Sequence, residues 1–181
     1  GRLSLYKVTA RTTGEKSHVL NVAPLSNSFT VNSGTYIAEG ENSVVLYVDK
    51  ENAGTVNIAN AYFRSNDNGI IVSGPQPSPV SLSNVSVSVS NSALIVEDEN
   101  NDHNNIIINA SNTSFSGSGE KGTIRIDSAE ATINLSNCNI YSTDKAIEVV
   151  NGSVLYLNIS GGYISGNIVA DYNSMIYINL M

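Results

Sequence analysis

The side chains that most often carry catalysis or ligate metals are sparse in this chain. It holds two histidines, His18 and His103, one cysteine, Cys138, and sixteen carboxylates against nine lysines and arginines. Each histidine stands alone in a turn-like polar stretch with no serine or cysteine nucleophile motif beside it, so no hydrolase triad is signalled. A single cysteine excludes an internal disulfide and a cysteine-based zinc site. Cleaving a glycan needs a pair of carboxylates held together. Here Asp49, Asp67, Asp98, Asp102, Asp127, Asp144 and Asp171 fall mainly in turns at scattered offsets, and no two are expected on adjacent strands of one column. Arginine is also too scarce for a lyase that stabilises an enolate with cations. These residues predict a protein without enzymatic activity and without a cofactor.

One acidic stretch resembles a cation loop, running from Glu97 through Asn105. Asp98, Asn100 and Asp102 alternate as oxygen ligands would. His103, however, stands where a calcium loop of the EF-hand type needs glycine, and no glutamate closes it at the twelfth position. The stretch therefore reads as a solvated loop rather than a metal site.

The surface these groups sit on is polar but mostly uncharged. Charged residues make up 14% of the chain, against about 25% in a typical globular protein, while asparagine and serine number 25 and 26. With a net charge of -7 and no basic cluster, the chain lacks the footprint of a nucleic-acid binder or of a protein drawn to anionic membranes. Its apolar runs are far shorter than the roughly 20 residues that span a bilayer, so no membrane insertion is expected. The alternating stretch from Ile176 to Met181 closes the sequence abruptly, and the chain reads as a piece of a longer protein.

The element that positions every group is a repeat. Apolar anchors recur at Val8, Val31, Ile58, Leu82, Ala110, Leu135, Ile159 and Leu180, about 25 residues apart. The residue before each anchor is polar, and it is asparagine in the last four: Asn109, Asn134, Asn158 and Asn179. Two residues after the anchor come Asn60, Asn84, Asn112 and Asn137, the expected inner ladder, in which stacked amides would bond coil to coil. Between these columns lie short stretches of period two, such as Val56-Asn57-Ile58 and Leu155-Tyr156-Leu157, and none of period 3.6. Three short strands per repeat cannot each bury a face alone, but stacked coils can. The predicted fold is an all-β, right-handed parallel β-helix of about seven coils, with residues 1–181 as one domain. A β-sandwich would also use short strands but has no reason to keep like residues in register at a constant step.

The period also sorts residues into outward columns. Three before the anchor stand Thr55, Pro79, Ile107, Thr132, Tyr156 and Tyr177, so the last coils stack tyrosines, with Tyr163 close in sequence. Exposed tyrosine offers a large contact area with a polar tip, which recognition surfaces favour. A second column carries Ile71, Ile95, Arg125 and Glu148, predicting an exposed isoleucine patch beside a cross-coil ion pair. Tyr156, Tyr177, Tyr163, Ile71 and Ile95 are thus the candidate binding residues.

Three segments resemble coils of pertactin-like autotransporter passenger domains: Thr55-Val-Asn-Ile-Ala-Asn-Ala-Tyr-Phe, Ala131-Thr-Ile-Asn-Leu-Ser-Asn-Cys-Asn-Ile and Asn151-Gly-Ser-Val-Leu-Tyr-Leu-Asn-Ile-Ser-Gly-Gly. The resemblance is one of architecture and composition, running from about residue 3 to the end. It implies a bacterial protein exported across the outer membrane and either kept on the cell surface or secreted. It implies action as an adhesin or virulence factor on a host-cell surface protein or glycan, or through self-association. Alternatives are a released ligand that activates a host receptor and, from another class, a polysaccharide-active enzyme. The family's protease branch is excluded, because its Gly-Asp-Ser-Gly segment is absent.

Overall fold

The computed structural model describes residues 2–23, 28–50, 54–99, 104–117 and 120–181. In chain order the strands are β1 (Arg2–Thr12), β2 (His18–Val22), β3 (Ser28–Ala38), β4 (Val44–Val48), β5 (Thr55–Ser65), β6 (Asn68–Ser73), β7 (Val80–Ser83) and β8 (Ser86–Val89). They continue with β9 (Leu94–Glu97), β10 (Ile106–Ser111), β11 (Ser114–Gly117), β12 (Ile124–Asp127), β13 (Glu130–Val150), β14 (Val154–Ala170) and β15 (Met175–Leu180). Every pairing between them is parallel, and they wind into a β-solenoid of about seven turns spaced about 25 residues apart.

The anchor column holds in the ladders: Val31 faces Ile58, Ile58 faces Leu82, and the series continues through Ala110, Leu135 and Ile159 to Leu180. Only its first member shifts. Leu5, not Val8, faces Val31. Leu3, Leu5 and Val8 are all apolar, so the pattern alone could not choose among them.

The coil has three sides. On the first lie the opening residues of β1, β3, β5, β13 and β14, with all of β7, β10 and β15. The second takes the closing residues of β1, β3 and β5, with β8, β11 and the middle of β13 and β14. The third takes β2, β4, β6, β9, β12 and the ends of β13 and β14. Three separate strands per repeat were expected, but β1, β3, β5, β13 and β14 run through the first corner unbroken.

One residue per coil turns that corner, and its backbone is left-handed each time: Lys7, Ser33, Asn60, Asn84, Asn112, Asn137 and Gly161, with φ between 48° and 75°. This corrects the inner-ladder expectation. Asn60, Asn84, Asn112 and Asn137 all point outward and are exposed. Asparagine suits this position because its short polar side chain tolerates the left-handed region. Among them only Asn84 Nδ2 to Asn60 Oδ1, 2.8 Å, forms a coil-to-coil amide bond, with Asn60 donating onward to Asn32 Oδ1 at 3.2 Å.

Inside, one continuous column of valine, isoleucine, leucine and phenylalanine fills the coil, including Ile58, Ile108, Ile133, Phe63 and Phe115. Each such side chain removed from water is worth about 1.5–3 kcal/mol before the entropy of ordering it is set against it. Small residues fill places where a side chain would not fit. A Cβ on Gly69 would lie 2.6 Å from both the Ala93 carbonyl oxygen and a Val87 methyl.

Candidate functional site

Outward columns are what a solenoid presents to a partner, and the first and third sides differ in them. On the first side Tyr156 and Tyr177 are register partners on β14 and β15, and their rings stack with centroids 5.1 Å apart and planes 11° from parallel. They are 40% and 50% exposed. Tyr156 sits between Thr132 and Tyr177 in complete ladders, so its exposure belongs to the face and not to the end of the coil stack. Tyr163 lies elsewhere. It pairs with Asn139 on the second side and leans on Tyr141, 6.1 Å between centroids. The structure therefore separates Tyr163 from the tyrosine pair that the sequence placed near it.

Beside the tyrosines runs an amide ladder. Asn134 Nδ2 donates to Asn109 Oδ1 at 2.8 Å, Asn158 Nδ2 to Asn134 Oδ1 at 2.7 Å, and Asn179 Nδ2 to Asn158 Oδ1 at 3.3 Å. Here stands the asparagine ladder that the sequence implied, on the other side of the anchor and serine columns from the one expected to carry it. Each inner member uses one N–H and one lone pair on its neighbours and has one of each left over. A serine column, Ser83, Ser111, Ser136 and Ser160, follows the anchor residues in register. A trough of about 350 Å3 lies over the backbone between the two polar columns.

The third side is charged and largely self-satisfied. Arg125 bonds Asp127 Oδ2 through Nη2 at 2.9 Å and pairs with Glu148, which also accepts from Lys145 Nζ at 2.6 Å. The cross-coil Arg125–Glu148 pair expected from the register is present, and it is largely buried, since Glu148 is only 7% exposed. Burial pushes the Glu148 carboxyl up. The Lys145 hydrogen bond, the Arg125 charge and the Gly122 N–H outweigh it and hold Glu148 below the usual carboxylate range. For Asp127 burial again acts upward and is outweighed by donors from Asn151, Arg125 and Ser128.

Glu97 behaves in the opposite way. Burial first, then the charges of Glu99 and Asp127, raise its carboxyl above the usual range. It faces Asp127 in register on the adjacent coil, which overturns the expectation that no two carboxylates share a column. The signal was legible, because matching Leu94-Ile95-Val96 to Ile124-Arg125-Ile126 brings Glu97 to Asp127 one residue later. Both line a groove of about 570 Å3 with Asp67, Asn91, Lys121 and Arg125.

Ile71 and Ile95 do point outward, between Tyr47 and Arg125 in the same column. Yet Ile95 is 9% exposed and Ile71 half-buried, so the pair forms no exposed patch. In the acidic turn Asp98 is 1% exposed rather than solvated, and its N–H donates to the Asp127 carbonyl at 3.3 Å. Asn100, Asp102 and His103 lie outside the described residues. Among the described residues no three of His, Cys, Asp and Glu are grouped to hold a metal, and no helix is long and apolar enough to cross a membrane. His18 lies flat on Tyr47, centroids 5.0 Å apart. No family model, curated protein or solved structure matches the chain at a significant level.

Proposed function

We propose that this chain is a stretch of an exported bacterial passenger of the pertactin-like kind, displayed on or released from the cell surface, that acts by binding a host-cell surface partner. The observation that carries this reading is the Tyr156–Tyr177 pair, stacked and half-exposed on a flat side of the solenoid. A ring held in place by its sheet and by a stacked neighbour loses little freedom on binding, so its buried area converts more fully into affinity. The test is saturable binding of labelled chain to cultured host cells, competed by unlabelled chain. Replacing both residues, Tyr156→Ser with Tyr177→Ser, should abolish the saturable component, and undiminished binding by that variant would remove the reading. Receptor phosphorylation in the same wells would mark a signalling ligand, and binding without it an adhesin.

A second reading, cleavage of a glycan, is favoured by one observation: a carboxyl with a raised pKa and an ionised one face each other in the larger groove. Environments that push two carboxyls apart in this way assign acid and base roles, here Glu97 and Asp127. It ranks second because both Asp127 oxygens already accept from Asn151, Ser128 and Arg125, which leaves little capacity to activate water. Release of reducing ends that disappears in Glu97→Gln would establish it.

A further inference from the structure

We infer that the first side of the solenoid, around Tyr156, Asn134 and Asn158, binds a neutral glycan chain laid along the solenoid axis; this rests on the surface-contact reading and names its ligand class. Three features converge on one face. Tyr156 and Tyr177 stack on each other and leave 40% and 50% of their surface exposed, apolar ring area suited to the C–H face of a pyranose. The asparagine ladder presents a repeated unused N–H and lone pair, a match for hydroxyls that both donate and accept. The trough between Asn109 and Asn134 on one edge and Ser111 and Ser136 on the other, over Ala110 and Leu135, has a volume within the range of small-ligand sites.

Repetition separates a glycan from a protein partner. The trough crosses β7, β10, β13 and β14, so it runs across four coils, about 15 Å at about 4.8 Å per coil. Each coil repeats nearly the same amide and hydroxyl. A polymer of identical rings can meet such an array with the same contacts at successive steps, whereas a globular protein surface that is not itself a solenoid has no such translation. An extended peptide would instead add to a free strand edge through its backbone, and the interior strands of this side have no free edge.

Charge selects among glycans. No charged side chain lines the trough, and the chain carries a net charge of -7. A uronate, sialylated or sulfated chain would find no cation there and a repelling field around it.

The test is an array of neutral hexose and N-acetylhexosamine oligomers beside uronate, sialylated and sulfated ones, probed with the soluble chain. Retention on neutral oligomers of several rings, with monosaccharides and acidic chains left unbound, is the expected result. Binding should weaken roughly tenfold or more in Tyr156→Ser with Tyr177→Ser and survive in Tyr156→Phe with Tyr177→Phe, which keeps the rings. Asn134→Asp, which puts a carboxylate into the ladder, should weaken it as well; should that variant not fold, the tyrosine pair still decides. Binding only to acidic chains, or equal binding by the serine and phenylalanine variants, would overturn the inference. On cells, tyrosine-dependent binding that persists after enzymatic removal of surface glycans would also overturn it and leave the surface-contact reading standing. Retention on neutral oligomers without binding to host cells would do the reverse.

Discussion

The first and third sides of this solenoid are built from the same parallel ladder but differ in how their outward side chains are satisfied. On the third side Arg125, Asp127, Lys145 and Glu148 close on one another across β12 and β13, and their charges cancel within the protein. On the first side asparagine amides bond to their neighbours yet keep unused capacity, and Tyr156 and Tyr177 stack on each other and stay about half-exposed. A charge half out of water must be paired almost completely, because leaving it alone is costly. A neutral amide can stay half-paired at the surface, because water completes it. The third side is therefore a clamp between coils, and the first keeps hydrogen-bonding capacity at its surface.

The comparison breaks most visibly at Arg125. Arg125→Ala leaves Glu148 and Asp127 without their shared cation, and urea unfolding should show a loss of roughly 3 kcal/mol. A loss below about 1 kcal/mol would mean that the third side holds its coils no more tightly than the first. The corner asparagines come next. Asn112→Leu forces a branched side chain into a left-handed backbone and should cost about 1–2 kcal/mol, while Asn112→Gly should be close to neutral. Equal losses in both variants would return this column to the role of a side-chain ladder.

Acid sharpens the contrast further. Asp127 and Glu148 hold carboxyls below their ordinary values, so the stability they add is present above the ordinary carboxylate range and is lost as pH falls through their depressed values. A melting-temperature profile should drop in acid for the parent and be flatter for Arg125→Ala. Glu97 has the reverse sign. Its raised carboxyl favours the folded state at low pH, and that contribution disappears as pH rises through the raised value. Glu97→Gln should thus melt slightly above the parent at neutral pH, by less than about 1 kcal/mol once solvent screening is allowed for. A lower melting point would mean that the Glu97 carboxylate is favourably paired. The smallest effect on stability belongs to the first side. Tyr156→Ser with Tyr177→Ser should cost under about 1 kcal/mol for the lost cross-strand pair, measured by thermal melting, while removing binding.

Much of this is legible in the amino-acid sequence. The anchor column from Val31 to Leu180, the Tyr156–Tyr177 register and the Arg125–Glu148 pairing follow from counting along the chain. Each goes with a regular step, where neighbours in space are one period apart in sequence. Misplacements arose where the step is ambiguous or changes. Leu5 competed with Val8 among several apolar residues in the first coil. Glu97 and Asp127 are separated by a lengthened coil, so their shared column follows from matching the two strands and not from a constant step. The acidic turn looked solvated by composition, yet Asp98 is enclosed.

The amino-acid sequence by itself determined the period, the alternation and so the solenoid, because a parallel coil stack places like residue on like residue and lets a one-dimensional pattern set a three-dimensional register. Only the tertiary structure decided which asparagine column bonds continuously from coil to coil and which turns the corner in a left-handed backbone, since both are polar, outward and repeated along the sequence. Only the structure, too, set how much of Ile95, Glu148 and Tyr156 meets water, because exposure depends on neighbours in adjacent coils and around the corner, which no count along the chain contains.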